Sequence, residues 1–215
     1  MHNRESMSRK HALEIFPGTI EKDPACGGRV IFNAENGWKW RLAKERVMEQ
    51  GSLLEGMSSG SFKRIVMARI PIGVDLLEAI REMVKRENIQ KGLILMGIGA
   101  LSKATFRNVK VFPAEYPITD KDRIYFEVEA PLELVSLTGY IIPSLSGQPH
   151  VHAHFSASTA MGERIATYGG HLGKGAITYV KAAVAIGELE GMEMEKRWVE
   201  ERKTADMWMG SKGIS

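Results

Sequence analysis

Apolar and polar residues alternate along several segments of the chain, and this period of two predicts β-strands. The clearest example is the segment 149–158. Its odd positions are the apolar Val151, Ala153, Phe155 and Ala157, and its even positions are His150, His152, His154, Ser156 and Ser158. We therefore predict a strand with one apolar face and one polar face that carries three imidazoles.

Other alternating or continuously apolar runs predict further strands, among them 64–70, 92–101, 104–112, 124–128, 133–142 and 176–189. Helical spacing is clear in Asp75–Lys85, where Leu76, Ile80, Met83 and Val84 share one face. The connections between strands are too short for helical crossovers. The pattern predicts an α+β fold, a largely antiparallel sheet of about seven strands with one main helix.

The two ends of the chain differ from this central pattern. Residues 1–62 are predicted to form an N-terminal extension with a hairpin around Asn36-Gly37 and a short helix over 41–50. The main domain is predicted to cover 63–191 and a C-terminal tail 192–215. Within the tail, the charged segment 193–209 is compatible with a helix that packs through Trp198 and Trp208.

Two glycine positions resemble a dinucleotide-binding loop. Gly97-x-Gly99 lacks the third glycine of that loop, and a predicted strand follows it where a helix is needed. We attribute these glycines to close backbone packing.

Composition and charge exclude several classes of protein. The 215 residues are 44% hydrophobic and 26% charged, with a formal net charge of +3. Residues 64–187 hold 14 basic and 11 acidic side chains, so no concentrated basic patch for nucleic acid is visible. The single cysteine, Cys26, the polar first ten residues and the lack of a long apolar run predict a cytoplasmic protein without a membrane segment.

The histidines point to a metal site. Residues two apart on a strand are separated by about 6.6–6.8 Å, so two imidazoles in H-x-H can bind one ion, whereas residues four apart are about 13 Å apart. His171 is the candidate third ligand, because Glu163–His171 should return as a hairpin partner. A turn centred after Ala160 places His171 opposite His150, and one centred after Met161 places it opposite His152.

The predicted metal ligands are therefore His150, His152 and His171. His154 is predicted to face a substrate or support the ligands, and Gly169 and Gly170 to leave space for the site. Three neutral imidazoles suit a divalent transition metal, zinc ahead of iron, nickel or copper, and leave a position for water or a small molecule. The alternative is a polar sheet face whose histidines only form hydrogen bonds. No catalytic residue can be named; Glu127, Glu129 and Glu133 are the carboxylates in adjacent strand segments.

Five ordered motifs then resemble one family. They are Ile72-Gly73-x-Asp75-Leu76-Leu77-Glu78-Ala79-Ile80, Gly97-Ile98-Gly99-Ala100-Leu101-Ser102, Leu134-Val135-Ser136-Leu137-Thr138-Gly139, Pro149-His150-x-His152-Ala153 and Gly169-Gly170-His171-Leu172. Over about residues 63–191 the chain resembles the PPC (plant and prokaryote conserved) domain family.

The resemblance implies a compact domain that assembles as a homotrimer and, in prokaryotic members, a metal held by the histidines of the last two motifs, here His150, His152 and His171. The predicted function is accordingly a metal-binding protein that binds or transforms a small molecule. The alternative is DNA binding or transcription regulation, as in plant members with AT-hooks; this chain has no Arg-Gly-Arg-Pro hook.

Overall fold

The computed structural model describes residues 18–22, 30–34, 54–113 and 115–210, and the chain divides into two compact units, 1–51 and 52–215. In the first unit, β1 (Gly18–Lys22) and β2 (Val30–Ala34) form an antiparallel pair. The predicted Asn36-Gly37 turn and the predicted helix over 41–50 lie outside the described residues.

The second unit contains a six-stranded sheet, one α-helix and a C-terminal hairpin among its described residues. The elements are β3 (Ser61–Ile70), α1 (Leu76–Arg86), β4 (Gly92–Val109), β5 (Arg123–Ile142), β6 (His150–Met161), β7 (Arg164–Leu172), β8 (Ile177–Glu190), β9 (Met194–Val199) and β10 (Thr204–Met209). The main sheet has the order β3-β8-β4-β5-β6-β7, and every pairing in it is antiparallel. Strand β4 also pairs with β7, so β4, β5, β6 and β7 close on one another. The predicted largely antiparallel sheet with one helix is confirmed.

Helix α1 begins where its sequence provides a cap. One carboxylate oxygen of Asp75 accepts a hydrogen bond from the backbone N–H of Glu78 at 3.1 Å, and the other accepts from Gly175 N at 2.7 Å. Leu76 and Ile80 are fully buried against the sheet. No helix in the described parts of the chain is long and apolar enough to cross a membrane.

Two pairs of predicted strands are single long strands. Strand β4 unites the predicted segments 92–101 and 104–112, and β5 unites 124–128 and 133–142. The register shifts between Leu101 and Lys103, where β4 contributes Ser102 and β5 contributes both Ala130 and Pro131. Proline lacks the N–H that a regular ladder needs, and a bulge tolerates it within a strand.

The apolar core lies between α1 and one face of the sheet. The alternation predicted for β6 is confirmed, since its odd residues from Val151 to Thr159 are buried. The buried β6 residues, Val151, Ala153, Phe155 and Ala157, pack in one cluster with the apolar residues of α1, β4, β5 and β8. The even residues of β6, including all three histidines, therefore lie on the opposite face of the sheet.

The glycines of the Gly97-x-Gly99 motif do pack closely. A Cβ atom on Gly97 would lie 2.5 Å from the side chain of Leu137. At Gly99, where φ is +147°, a Cβ would overlap the backbone of Lys181 and Ala182 on β8.

The predicted C-terminal helix is wrong, because residues 194–209 form the antiparallel hairpin β9–β10. Lys203, with φ of +46°, makes the turn between its strands. The hairpin is held by a small apolar cluster with β5 and β8, formed by Ile142, Leu189 and Met194 and flanked by Tyr140, Met192, Met207 and Met209. Trp198 is 57% exposed, so its predicted packing is also wrong.

Candidate metal centre

The β6–β7 hairpin determines which histidines meet. Met161 lies opposite Arg164, and Gly162 with φ of +62° occupies the first central position of a two-residue turn. His171 consequently lies opposite His154. Both predicted registers, with His171 opposite His150 or His152, are wrong, because β6 continues to Met161 through residues that the sequence pattern assigns to the loop.

His152, His154 and His171 form a compact group of three possible metal ligands. One ring nitrogen of each histidine lies within 4.8 Å of a ring nitrogen of each of the other two. The Nε2 atoms of His152 and His154 are 3.3 Å apart. This distance matches the edge of a tetrahedron whose metal–nitrogen bonds are about 2.0–2.1 Å long. The His171 ring is perpendicular to the other two, with its centroid 4.7 Å from that of His152.

The three donors could therefore hold one metal ion. Three imidazoles occupy three of four tetrahedral positions and leave the fourth open for water or a small molecule. Two members of the group stand at positions i and i+2 of one strand, as in the predicted arrangement, but they are His152 and His154 and not His150 and His152.

His150 lies beside this group and is not one of the three. It is paired with Ile142 at the start of β6, and its ring centroid is 6.1 Å from that of His152. The structure thus brings together two of the three predicted ligands, His152 and His171, and adds His154 in place of His150. Which of the four histidines bind an ion stays a prediction.

Partial burial keeps the imidazoles of His150, His152 and His171 uncharged at neutral pH. Burial lowers the pKa of His171 to about 3, with Arg107 as the next cause. Burial also lowers the pKa of His150 to about 4, helped by Lys196. The pKa of His152 is lowered by burial and then by His154. Neutral imidazole is the form that binds metals, so these histidines are available as ligands at neutral pH.

The histidine face includes side chains that the sequence analysis did not select. Tyr140 of β5 stacks on His152 with ring centroids 5.0 Å apart. Arg107 of β4 lies opposite His171. On β5, Thr138 is opposite His154, and the Ser136 and Ser156 hydroxyls are 2.9 Å apart. The alternation of Ser136, Thr138 and Tyr140 along the sequence could have identified this polar row, whereas the contact between β4 and β7 has no local signal.

The two glycines before His171 have different surroundings. Gly169 lies opposite Ser156 on the histidine face, where an added Cβ would make only ordinary contacts, at 3.4 Å or more. Gly170 points to the other face, where a Cβ would lie 2.7 Å from Asn108 Oδ1 and 3.0 Å from the Arg107 carbonyl oxygen. Only Gly169 therefore leaves space on the side of the site, and Gly170 allows β7 to approach β4.

The three candidate glutamates lie away from the histidines. Glu127 forms an ion pair with Lys103 at 2.8 Å, and Glu129 lies opposite Lys103 in the β4–β5 register. Glu133 is opposite Ser158, four residues along β6 from His154, which corresponds to about 13 Å. Among the described residues, the group of possible ligands contains only histidines.

Curated relatives match a large part of this chain. It is 27% identical over 152 residues to the bifunctional protein GlmU of Synechococcus sp. (strain JA-2-3B'a(2-13)), and 28% identical over 125 residues to that of strain JA-3-3Ab. These matches cover 71% and 58% of the chain, which spans only 20% and 17% of the length of these relatives.

Solved structures share the fold. A plant- and prokaryote-conserved (PPC) protein of Pyrococcus horikoshii is 28% identical, with a TM-score of 0.54 over 71% of this chain and 96% of that one. A metal-containing protein of Archaeoglobus fulgidus is 22% identical, with a TM-score of 0.55 over 71% of this chain and 98% of that one.

The family itself is identified by a protein-family model. The model of the Plants and Prokaryotes Conserved (PCC) domain matches residues 57–190, which is more than half of the chain and includes β3 to β8 with all four histidines. The resemblance inferred from the five sequence motifs is thereby confirmed, and the chain belongs to the PCC domain family.

Proposed function

We propose that this chain is a metal-binding PCC-domain protein that binds or transforms a small molecule at a three-histidine centre. The observation that carries the proposal is the convergence of His152, His154 and His171, whose ligand atoms lie within 4.8 Å of one another. Histidines that only hydrogen-bond one another need no such three-sided arrangement. The structurally similar protein from Archaeoglobus fulgidus is described as metal-containing, which supports the metal-binding part of the proposal.

Zinc is the ion that we propose. Three neutral imidazoles with no carboxylate among them are a common zinc donor set, and they leave one open position. An ion held in this way supplies a Lewis acid that can polarise a bound carbonyl group or water molecule. Tyr140, Thr138 and Ser156 line the same face and offer hydroxyl groups to a ligand.

The test is elemental analysis of protein prepared without an affinity tag, because a histidine tag binds metals itself. We expect about one equivalent of a divalent transition metal per chain. A variant with His152, His154 and His171 all replaced by Asn should lack it while keeping the fold. Folded protein that contains no metal and takes up none of zinc, iron, nickel or copper would overturn the proposal.

We also propose that the chain assembles as a homotrimer. The histidine face continues across the sheet, as shown by the row Ile65, Gly187, Leu93, Tyr140 and His152, in which each residue is opposite the next. On this face several large apolar side chains are exposed: Ile65 64%, Met67 62%, Leu95 42%, Ile98 60% and Val135 57%. An exposed apolar surface of this kind favours association, and further copies of the chain would cover it.

DNA binding, the alternative, is not favoured by the charges. Much of the basic charge of the family domain is neutralised within the chain: Arg64 pairs with Glu188, Arg86 with Glu82 and Lys103 with Glu127. A DNA-binding surface instead needs several free cations on one side. The cytoplasmic location inferred from the sequence stays a prediction.

A further inference from the structure

Arg107 is a partly buried arginine beside the candidate metal centre. It lies directly opposite His171 in the β4–β7 pairing, and directly opposed residues place their side chains on the same face of a sheet. The hydrogen bond from Asn108 Nδ2 to the Gly169 carbonyl, 2.9 Å long, holds the two strands together at this point. The guanidinium group therefore belongs to the surroundings of the three imidazoles.

The Arg107 side chain has no hydrogen bond or ion pair within the described parts of the second unit. Arg107 has a weak electrostatic effect on Asp120, but the carboxylate of Asp120 already accepts hydrogen bonds from Tyr125 and Arg123. A partly buried guanidinium has five N–H donors, and leaving them unused costs free energy. This arginine is therefore available for a ligand.

The charges around the imidazoles have a positive balance. Arg107 lies opposite His171. The backbone N–H of Lys196 is bonded to the carbonyl of Pro143, which follows Ile142, the residue opposite His150. The carboxylate of the neighbouring Asp206 is already bound by Arg202 at 2.5 Å. A divalent ion on three neutral ligands would add two further positive charges. This field favours an anion.

We infer that Arg107 binds the carboxylate or phosphate group of a small oxyanion ligand whose other end lies at the open position of the metal. The inference rests on the proposed metal site and adds the chemical class of its ligand. A planar guanidinium matches both kinds of oxyanion with two parallel hydrogen bonds, which lysine cannot provide.

The experiment uses the full chain loaded with cobalt(II), whose visible absorption changes when a ligand enters the coordination sphere. Acetate, methyl phosphate and the uncharged acetamide are titrated into the wild type and into three variants. Arg107→Gln removes the charge. Arg107→Lys keeps the charge but cannot form the two parallel hydrogen bonds of a guanidinium group. Arg164→Gln is the matched control, because this exposed arginine lies on the same strand as His171 but about 23 Å away.

We expect Arg107→Gln to weaken acetate or methyl phosphate binding about 10- to 100-fold, with Arg107→Lys between it and the wild type. Acetamide affinity should be the same in all four proteins, and Arg164→Gln should match the wild type. The probe that weakens more identifies the preferred oxyanion.

Three results would overturn the inference, and they are distinguishable from one another. If cobalt binds but Arg107→Gln and Arg164→Gln have equal oxyanion affinities, Arg107 has no role and only the metal site stands. If the wild type binds no cobalt, the proposed function itself fails. If Arg107→Gln does not fold, the affinities of the wild type for acetate and acetamide are compared. A wild type that binds acetamide as tightly as acetate contradicts an anion site.

Discussion

His150 and His154 stand two residues on either side of His152, yet only His154 lies opposite His171. This one difference in pairing separates a side chain that completes the group of three from one that lies beside it. The exposure of His154 also differs from the partial burial of the other three histidines, so an ion there is open to solvent on that side.

Replacing either outer histidine tests this assignment. We expect His154→Asn to weaken zinc binding on the order of 100-fold, because it removes a direct ligand. His150→Asn removes an imidazole from the same strand and serves as the matched control, with an expected change of less than about threefold. Competition with a chromophoric chelator measures both affinities. The opposite ranking would return His150 to the ligand set and exclude His154.

A second prediction at this scale concerns pH. In the folded metal-free chain the pKa of His171 is about 3 and that of His150 about 4, against an ordinary value of 6.5 in the unfolded chain. The unfolded state therefore binds more protons below pH 6.5, and folding stability falls as the pH decreases. We expect full stability above about pH 6.5 and a progressive loss from there towards pH 4.

Urea unfolding of chelator-treated protein at pH 8, 6.5 and 5 measures this dependence. Carboxylates with lowered pKa values, such as Glu188 and Asp122, lose their contribution at lower pH, below their ordinary values of 4.5 and 3.8. The interval from 6.5 to 5 therefore reports on the histidines. His171→Asn should flatten the curve there. An unfolding midpoint that is constant from pH 8 to 5 in the wild type would contradict the prediction.

At the scale of the elements, the position of β7 against β4 determines where His171 and Arg107 lie. Gly170 permits this approach, since an added Cβ would come within 3.0 Å of the Arg107 carbonyl oxygen, a backbone atom that cannot rotate away. Gly169, one residue earlier, has no contact closer than 3.4 Å. A methyl group would therefore be crowded at Gly170 but accommodated at Gly169.

Gly170→Ala should destabilise the domain by about 1–3 kcal/mol, because the methyl group forces β7 away from β4. We also expect weaker zinc binding, because His171 moves with its strand. Gly169→Ala is the control and should change stability by no more than about 0.5 kcal/mol. Thermal unfolding and zinc competition measure the two effects. Equal effects of both substitutions would indicate that the strand is not held at Gly170.

The sequence predicted the individual strands more accurately than the pairing between them. Alternation along residues 150–158 identified both the strand and its histidine face, because periodicity is a local property. The hairpin register depended on whether Met161 continued the strand and Gly162 made the turn, and composition alone did not distinguish these cases. Arg107 reaches the site through a pairing between strands more than 50 residues apart, for which one sequence has no signal.

At the C terminus the local pattern was misleading. The charged segment 193–209 was compatible with a helix, but it forms a hairpin whose Met194, Met207 and Met209 pack with Ile142 and Leu189. Tertiary contacts outweighed local propensity there, as is common for short segments. The hairpin also brings Lys196 and Asp206 close enough to His150 and His152 to affect their pKa values.

At the scale of the whole molecule, the candidate metal centre and the exposed apolar residues share one sheet face. All three candidate ligands come from a single chain, on β6 and β7, so the group of three histidines forms without a partner chain. The apolar residues lie mainly on β3 and β4, at the other side of that face. Assembly and metal binding should therefore be separable by substitution.

Ile98→Glu tests this separation. Ile98 is 60% exposed on β4, opposite Ala183 of β8, and a charge there would be buried without a partner in an assembled trimer. We expect the wild type to sediment with the mass of three chains and Ile98→Glu to sediment as a single chain that still binds one equivalent of zinc. Leu145→Glu is the control: Leu145 is 83% exposed in the turn between β5 and β6, outside the sheet, and should leave the trimer intact. A wild type that sediments as one chain would contradict the trimer, and loss of zinc in a folded Ile98→Glu monomer would show that the centre requires a second copy.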